Sequence, residues 1–409
     1  MSNIRYLNLN NFSYKIFFLF VFLLLLSTVD IIPTSVGYFL LIFNIVLSVF
    51  LFFVAAKLSY IGDKDVLYVL LFIIPICVSY LFNINGNPNV ARFLLLVAFY
   101  PIVFLLLKYI VSKFDIVKIL IPILISISLI ILLSIVKSLG FFDFTFYGSD
   151  VSTLDYYADV YSRDRLLAIN GVYLNQNSFA SILLVGFFSF FSFYIAANNK
   201  IGKILGGLFL FIISVLLLLT LARAAIFSAL IGVLIFYIFS DVKVYIKLFT
   251  IFLLSILIFV FIFFTEYGVL FNEKINSAGM SLRDVIWKDV IYNFEKNKLF
   301  GVGLGNYQFI SGYSVYSTHN LYLFFLISLG LFGVVGIFFS IILVFLKILN
   351  VLLFFRNDKL LLVFSSAILA IFVHQCFEVE LDNPFKPLSF FFLLSLAYLF
   401  ARKKPELGK

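Results

Sequence analysis

Apolar runs of membrane-spanning length, bounded by charges or turn residues and repeated along the whole chain, constrain this sequence more than any other feature. A bilayer core about 30 Å thick is crossed by roughly 17 to 25 mostly apolar helical residues. Twelve such runs occur, at 16–31, 36–56, 66–82, 90–107, 117–138, 175–197, 203–220, 224–240, 245–264, 319–346, 359–378 and 385–401. Composition agrees: 64% of the residues are apolar and 12% are charged, where soluble domains carry about 25%. A soluble fold is excluded. The expected fold is an all-α polytopic integral membrane protein, one membrane domain over 1–409 with about twelve transmembrane helices and a long loop between helices 9 and 10. Cys77 and Cys376 both lie in apolar runs with no Cys or His at ligand spacing, so neither a disulfide framework nor a zinc site is indicated.

Orientation follows from Lys and Arg, which short cytoplasmic loops retain. With the N-terminus inside, the alternate loops and both termini hold 18 of the 29 basic residues and net +12, while the remainder of the chain nets −3. The bias holds at every loop, so the overall +9 is a topology signal and no nucleic-acid partner is implied. Both termini are expected in the cytoplasm. The first run is read as an uncleaved span, because no small-residue cleavage site follows residues 16–26. Two outer loops, 139–174 and 265–318, are long, and loop length of that kind usually carries function.

No Asp or Glu falls in mid-span, which argues against a carrier coupled to protons or sodium through carboxylates. Pro75, Pro101 and Pro122 interrupt three spans, as they do in broken transporter helices and in many ordinary ones. Arg92, Lys137 and Arg223 lie toward the outer face, against the charge bias, and each needs a partner. Snorkelling to the interface accounts for Arg92 and Lys137. Arg223, within Leu219-Thr-Leu-Ala-Arg-Ala-Ala225, has no acidic neighbour in sequence and requires an anion from elsewhere.

In the loop 265–318, Ser281-Leu-Arg-Asp284 reads as a helix start followed by apolar residues at helical spacing, giving an amphipathic helix over 281–297. Phe300-Gly-Val-Gly-Leu-Gly-Asn306 is no nucleotide site, since neither a preceding strand nor a following Lys-Ser/Thr is present. Its glycines allow a tight turn or a close backbone approach. His319, in Ser317-Thr-His-Asn320, opens the tenth span, where an imidazole with an ordinary pKa near ~6.5 serves either as a general base or as a structural cap. His374 stands beside Glu378, Glu380 and Asp382, which read as a solvated rim or as a sugar or cation site. Eight aromatics between Phe141 and Tyr161, followed by Arg163 and Arg165, suit interfacial anchoring and glycan contact.

Taken in order, Leu219-Thr-Leu-Ala-Arg223, Ser281-Leu-Arg283 with Trp287, Gly301-Val-Gly-Leu-Gly-Asn-Tyr307, Thr318-His-Asn-Leu-Tyr322 and Ser328-Leu-Gly-Leu-Phe-Gly333 resemble the bacterial O-antigen polymerase and O-antigen ligase superfamily over about 200–340. The resemblance implies a metal-independent, inverting glycosyltransferase that needs no cofactor. It would act at the periplasmic face of the inner membrane on undecaprenyl-diphosphate-linked oligosaccharide, with membrane lipids around it. It implies that Arg223 and Arg283 hold the donor diphosphate and that His319 accepts the proton of the attacking hydroxyl. Asn320, Asn175, Asn177, Arg163 and Arg165 are further candidates for glycan or acceptor binding, and no metal ligand is implied. Ala222 departs from the Ser or Thr common before the first arginine, and Gln176 from a common Pro. The resemblance also brings a chain-length regulator as an expected partner of a polymerase. Polymerase is favoured over ligase, because phosphorylated lipid A cores call for an outer face more basic than −3. A non-enzymatic carrier of lipid-linked oligosaccharide is the third reading.

Overall fold

The computed structural model of the protein describes residues 2–30, 32, 34–56, 63–83, 89–138, 171–173, 175–245, 247, 283–304, 306–307 and 318–401. Every regular element among the described residues is helical. They are α1 (Ser2–Leu26), α2 (Thr34–Ala56), α3 (Asp63–Phe82), α4 (Val90–Leu94), α5 (Tyr100–Lys113), α6 (Ile116–Ser138), α7 (Gln176–Ala196), α8 (Lys200–Leu219), α9 (Arg223–Phe239), α10 (Arg283–Lys296), α11 (Leu321–Phe354), α12 (Lys359–His374) and α13 (Pro387–Ala401). Five stretches are long and apolar enough to cross a membrane: Val90–Lys113, Ile116–Lys137, Gln176–Ala196, Lys200–Leu219 and Leu321–Phe354. Six shorter apolar helices accompany them, so the chain is a multi-pass membrane protein. The expected ninth span, 245–264, lies outside the described residues, as do Arg163, Arg165, Ser281 and most of the loop 139–174. The count of twelve is therefore the sequence's expectation only.

The described residues form two compact units. The first comprises Met1–Leu47, Phe114–Gly279 and Arg356–Ser366. Its centre is α7, whose side chains from Phe179 to Ser192 are all buried. Gly186 permits this closeness: a Cβ there would stand 3.0 Å from Ile127 of α6 and 3.1 Å from Ile213 of α8. Phe190 stacks on Phe209 of α8 at 4.8 Å, and Phe191 meets Phe236 of α9 edge-on at 4.9 Å. Lys137, predicted to snorkel, instead donates to the Gly171 carbonyl at 2.7 Å.

The second unit comprises Ser48–Lys113, Met280–Phe355 and Ala367–Lys409. Its organising feature is a break in α11 at Gly330, where φ is 67° and ψ is −172°. The interrupted ladder is completed by the segment 298–303. Before the break, Val302 N–H donates to the Ile327 carbonyl at 2.8 Å and Gly303 N–H to that of Ser328 at 3.0 Å. After it, Leu331 and Phe332 N–H groups donate to the carbonyls of Lys298 (2.8 Å) and Leu299 (3.0 Å). Backbone groups buried in an apolar setting must be paired, and here an external segment does what the helix cannot. Gly301 and Gly303 carry positive φ (69° and 90°), which only glycine adopts cheaply. The glycine run is thus a close approach to the α11 backbone. Phe300 is held in turn by α3: its carbonyl accepts from Ser79 Oγ (2.8 Å) and Asn83 Nδ2 (2.9 Å), and its ring stacks on Phe82.

The prolines do not mark the discontinuity. Pro75 and Pro122 lie inside continuous helices, and Pro101 follows a π-helical turn, Leu95–Phe99, that joins α4 to α5. Gly336 of α11 packs so tightly on Pro75 that a Cβ would overlap the ring.

A Cβ at Gly301 would lie 2.5 Å from the Ile327 carbonyl oxygen, and one at Gly330 would collide with Gly301 and Leu299. Each alanine substitution also incurs the cost of a left-handed residue, about 1–2 kcal/mol. Thermal unfolding in nanodiscs should show both variants melting well below wild type, whereas Gly207→Ala, whose Cβ meets nothing closer than 3.9 Å, should melt normally.

Candidate functional site at the head of the broken helix

Residues 283–296 form the predicted amphipathic helix, here α10. Its apolar face packs Ile286 and Val290 against Val302, Tyr307 and Ile327, with Trp287, Phe294 and Leu323 alongside. This packing fixes α10 on the first half of α11. Trp287 Nε1 then donates to the Thr318 carbonyl at 3.0 Å, tying α10 to the residue before His319.

The chain enters α11 through a strained turn. His319 has φ 48°, a left-handed conformation that non-glycine residues seldom adopt. Its neighbours hold it there. Thr318 Oγ1 donates to the Asn320 carbonyl at 2.8 Å, and the Asn320 side chain caps α11 by accepting from Leu323 N–H at 3.0 Å. Asn320 Nδ2 donates to the Cys376 carbonyl (3.0 Å), and Leu321 N–H to that of Gln375 (2.9 Å). Asn320 is therefore built into the helix start and into the turn that follows α12.

That turn brings in Glu378, which bridges two of the predicted residues. Oε1 accepts from Arg283 Nη2 at 2.7 Å, and Oε2 lies 3.4 Å from His319 Nδ1. Arg283 and Glu378 side chains are 17% and 12% exposed, and His319 is 34% exposed, so the imidazole is the accessible member. Burial by itself would raise the Glu378 carboxyl, but the His319 hydrogen bond and the Arg283 charge outweigh it and hold the group below its ordinary range. An ionised Glu378 accepts from Nδ1–H, which makes Nε2 the basic nitrogen of the neutral ring.

Glu380 and Asp382 do not form the solvated rim that the sequence suggested. Lys386 closes the pair, with Nζ 2.7 Å from Asp382 Oδ1 and 3.9 Å from Glu380 Oε2, and it donates to the Val379 carbonyl at 2.8 Å. Gln375 Oε1 accepts from Glu380 and Leu381 N–H, so the turn is tied internally. His374 is buried behind this arrangement: its carbonyl accepts from Glu378 N–H at 3.1 Å, and its ring lies beside the Gln375 amide, within electrostatic reach of Glu378 and Arg283.

The remaining candidates fall in the first unit. Arg223 begins α9 after a sharp corner at Leu221, where φ is 54°. Thr220 Oγ1 accepts from Ala222 N–H at 3.2 Å and donates to the Leu217 carbonyl at 2.7 Å, which holds the corner. Asn175 caps α7 by accepting from Asn177 N–H at 2.8 Å, a structural duty.

Residues 208–338 match the family model described as O-antigen ligase. Over this segment the chain is similar to the O-antigen ligase and polymerase superfamily. No curated protein matches the chain significantly. The superfamily segment contains Arg223, Arg283, His319 and Asn320, whereas Glu378, on which two of them converge, lies 40 residues beyond its end. Sequence reasoning missed that role, although an acid following an apolar helix beside a second histidine was a usable signal.

Burial pushes the Glu380 carboxyl up to about 7 from its ordinary 4.5, with Asp382 and Glu378 adding to the rise and Lys386 opposing it. A raised carboxyl contributes stability that is complete below 4.5 and is lost as pH rises through about 7. Glu378, shifted the opposite way, acts only below its ordinary range. Wild type should thus lose roughly 3 kcal/mol between about pH 4.5 and 8 from this one group, and Glu380→Gln should flatten the melting profile over that window.

Proposed function

We propose that the chain is a surface-polysaccharide (O-antigen) polymerase that joins undecaprenyl-diphosphate-linked repeat units at the periplasmic face of the bacterial inner membrane. The observation that carries this reading is the Arg283–Glu378–His319 arrangement, built within and beside a superfamily segment whose relatives act on lipid-linked glycans.

In the proposed reaction the acceptor hydroxyl attacks the anomeric carbon of the donor glycan. A C–O bond forms, the bond from that carbon to the diphosphate oxygen breaks, and lipid diphosphate leaves with the electron pair. His319 Nε2 takes the hydroxyl proton, while Glu378 orients the ring and stabilises the imidazolium that results. Arg283 steadies the charge on the leaving diphosphate. Only one of its nitrogens is bonded to Glu378, and a guanidinium offers five N–H donors. Arg223 is assigned the same duty by resemblance. Direct attack inverts the anomeric centre, and no metal or cofactor enters the scheme. Polymerase is preferred to ligase because the outer portion of the chain nets −3, a poor match for a phosphorylated lipid A core. A chain-length regulator is the expected partner protein.

Purified protein in nanodiscs, given undecaprenyl-diphosphate repeat units alone, should produce a ladder on a gel. His319→Ala should slow it roughly 100- to 10,000-fold while donor still binds, and Glu378→Gln should slow it about tenfold or more. Arg223→Lys and Arg283→Lys should recover only part of what the alanine variants lose, because bidentate geometry is gone. A single product formed only after lipid A core is added would mean ligase. Full activity in His319→Ala would overturn the catalytic assignment, and donor binding without any product would favour the carrier.

A further inference from the structure

Arg92 lies outside the superfamily segment, yet the fold fixes it against the head of α11. Asn89 N–H donates to the Leu304 carbonyl at 3.0 Å, which pins the start of α4 to the glycine turn. The Asn89 side chain accepts from Arg92 N–H at 3.1 Å, and the next residue, Phe93, stacks on Tyr80 at 3.9 Å. The half-buried Arg92 guanidinium then lies 5.7 Å above the ring of Phe324, in the turn of α11 that Asn320 caps.

Its electrostatic situation differs from that of every other cation around this site. Arg283 is paired with Glu378, and Lys386 with Asp382 and Glu380. Among the described residues no carboxylate pairs with Arg92. A cation–π contact engages the face of the guanidinium and leaves its in-plane N–H donors for an oxyanion. A half-buried arginine held by its backbone cap over an aromatic ring, with no carboxylate among the described residues paired to it, is placed to receive an anionic ligand.

Resting on the glycosyltransferase reading above, we propose that Arg92 is a third phosphate-binding arginine, one that holds a phosphate of the acceptor. Arg283 is assigned to the donor diphosphate, and the acceptor brings a second phosphate to the head of α11. That phosphate has two possible sources: the lipid diphosphate of another repeat unit, or a phosphorylated core saccharide.

Equilibrium binding to protein in nanodiscs separates them. Labelled undecaprenyl diphosphate and a labelled phosphorylated core saccharide are titrated separately and together into wild type, Arg92→Gln, Arg92→Lys and Arg283→Gln. Wild type should show two phosphate-ligand sites, the second filled by one of the two ligands, whose identity names the source. Arg92→Gln should lose only the second site and Arg283→Gln only the first, each retained site also reporting an intact fold. Arg92→Lys should bind the second ligand roughly tenfold more weakly. A second site that persists in Arg92→Gln, or no second site for either ligand, overturns the proposal.

Kinetics supplies the parallel readout. With a non-cleavable phosphonate acceptor, Arg92→Gln should raise the acceptor KM about tenfold or more at little change in kcat, and should leave the KM of a phosphate-free lipid glycan unaltered. Equal effects on both acceptors would also overturn the proposal. Wild type that binds two phosphate ligands but forms no product would sink the polymerase reading and leave the Arg92 site standing.

Discussion

A helix that is interrupted within an apolar layer has to find hydrogen-bond partners for the groups it exposes, and much of the second unit follows from how α11 does so. The break at Gly330 frees carbonyls on one side and N–H groups on the other, and residues 298–303 pair with both. That pairing needs backbone-to-backbone approach, which dictates glycine at 301 and 330. It also determines where Val302 sits, and Val302 belongs to the apolar cluster that docks α10. Since α10 carries Arg283, the position of a charged side chain descends by packing from one backbone discontinuity.

Charge at the site is arranged around Glu378. A single buried carboxylate takes a guanidinium on one oxygen and approaches an imidazole with the other, so it fixes the spacing of Arg283 and His319 without either touching the other. The histidine side of the bargain is local strain. A left-handed His319 costs of order 1–3 kcal/mol, and the Thr318, Asn320 and Trp287 hydrogen bonds around it supply comparable opposing energy. Several independent contacts thus hold the backbone from which the ring reaches Glu378.

Much of this was legible in the sequence, but unevenly. Helical class and the five helices long enough to cross a membrane among the described residues follow from hydropathy, because the solvent imposes them on any chain of this composition. The amphipathic helix, expected at 281–297 and found at 283–296, was visible from periodicity, whereas Arg283 and His319 were singled out by the order of motifs that the family resemblance supplied. The glycine run was recognised as a turn or close approach, though not that its partner is α11 itself. Glu378 and Lys386 were not assigned their roles, because their significance lies in contacts across 95 residues in one case and in a neutralised acidic cluster in the other. Prolines drew attention as possible breaks, yet a helix end can be satisfied only where something reaches it, and that happens at Gly330. The amides at 175 and 320 proved to be caps, a duty that a helix start demands regardless of any ligand.

The distribution of these residues along the chain bears on how such a site diversifies. His319, Arg223, Arg283 and the broken helix lie in the matched segment 208–338, while Glu378, Lys386 and Arg92 come from outside it. The outer contributors act on charge: one tunes the histidine and arginine, one closes an acidic pair, and one presents a positive charge over Phe324. The backbone pairing at Gly330 belongs to the first group, and the carboxylate that Arg283 and His319 share belongs to the second. The charges contributed from outside the matched segment can change without disturbing the backbone pairing at Gly330, on which the docking of α10 and hence the position of Arg283 rests.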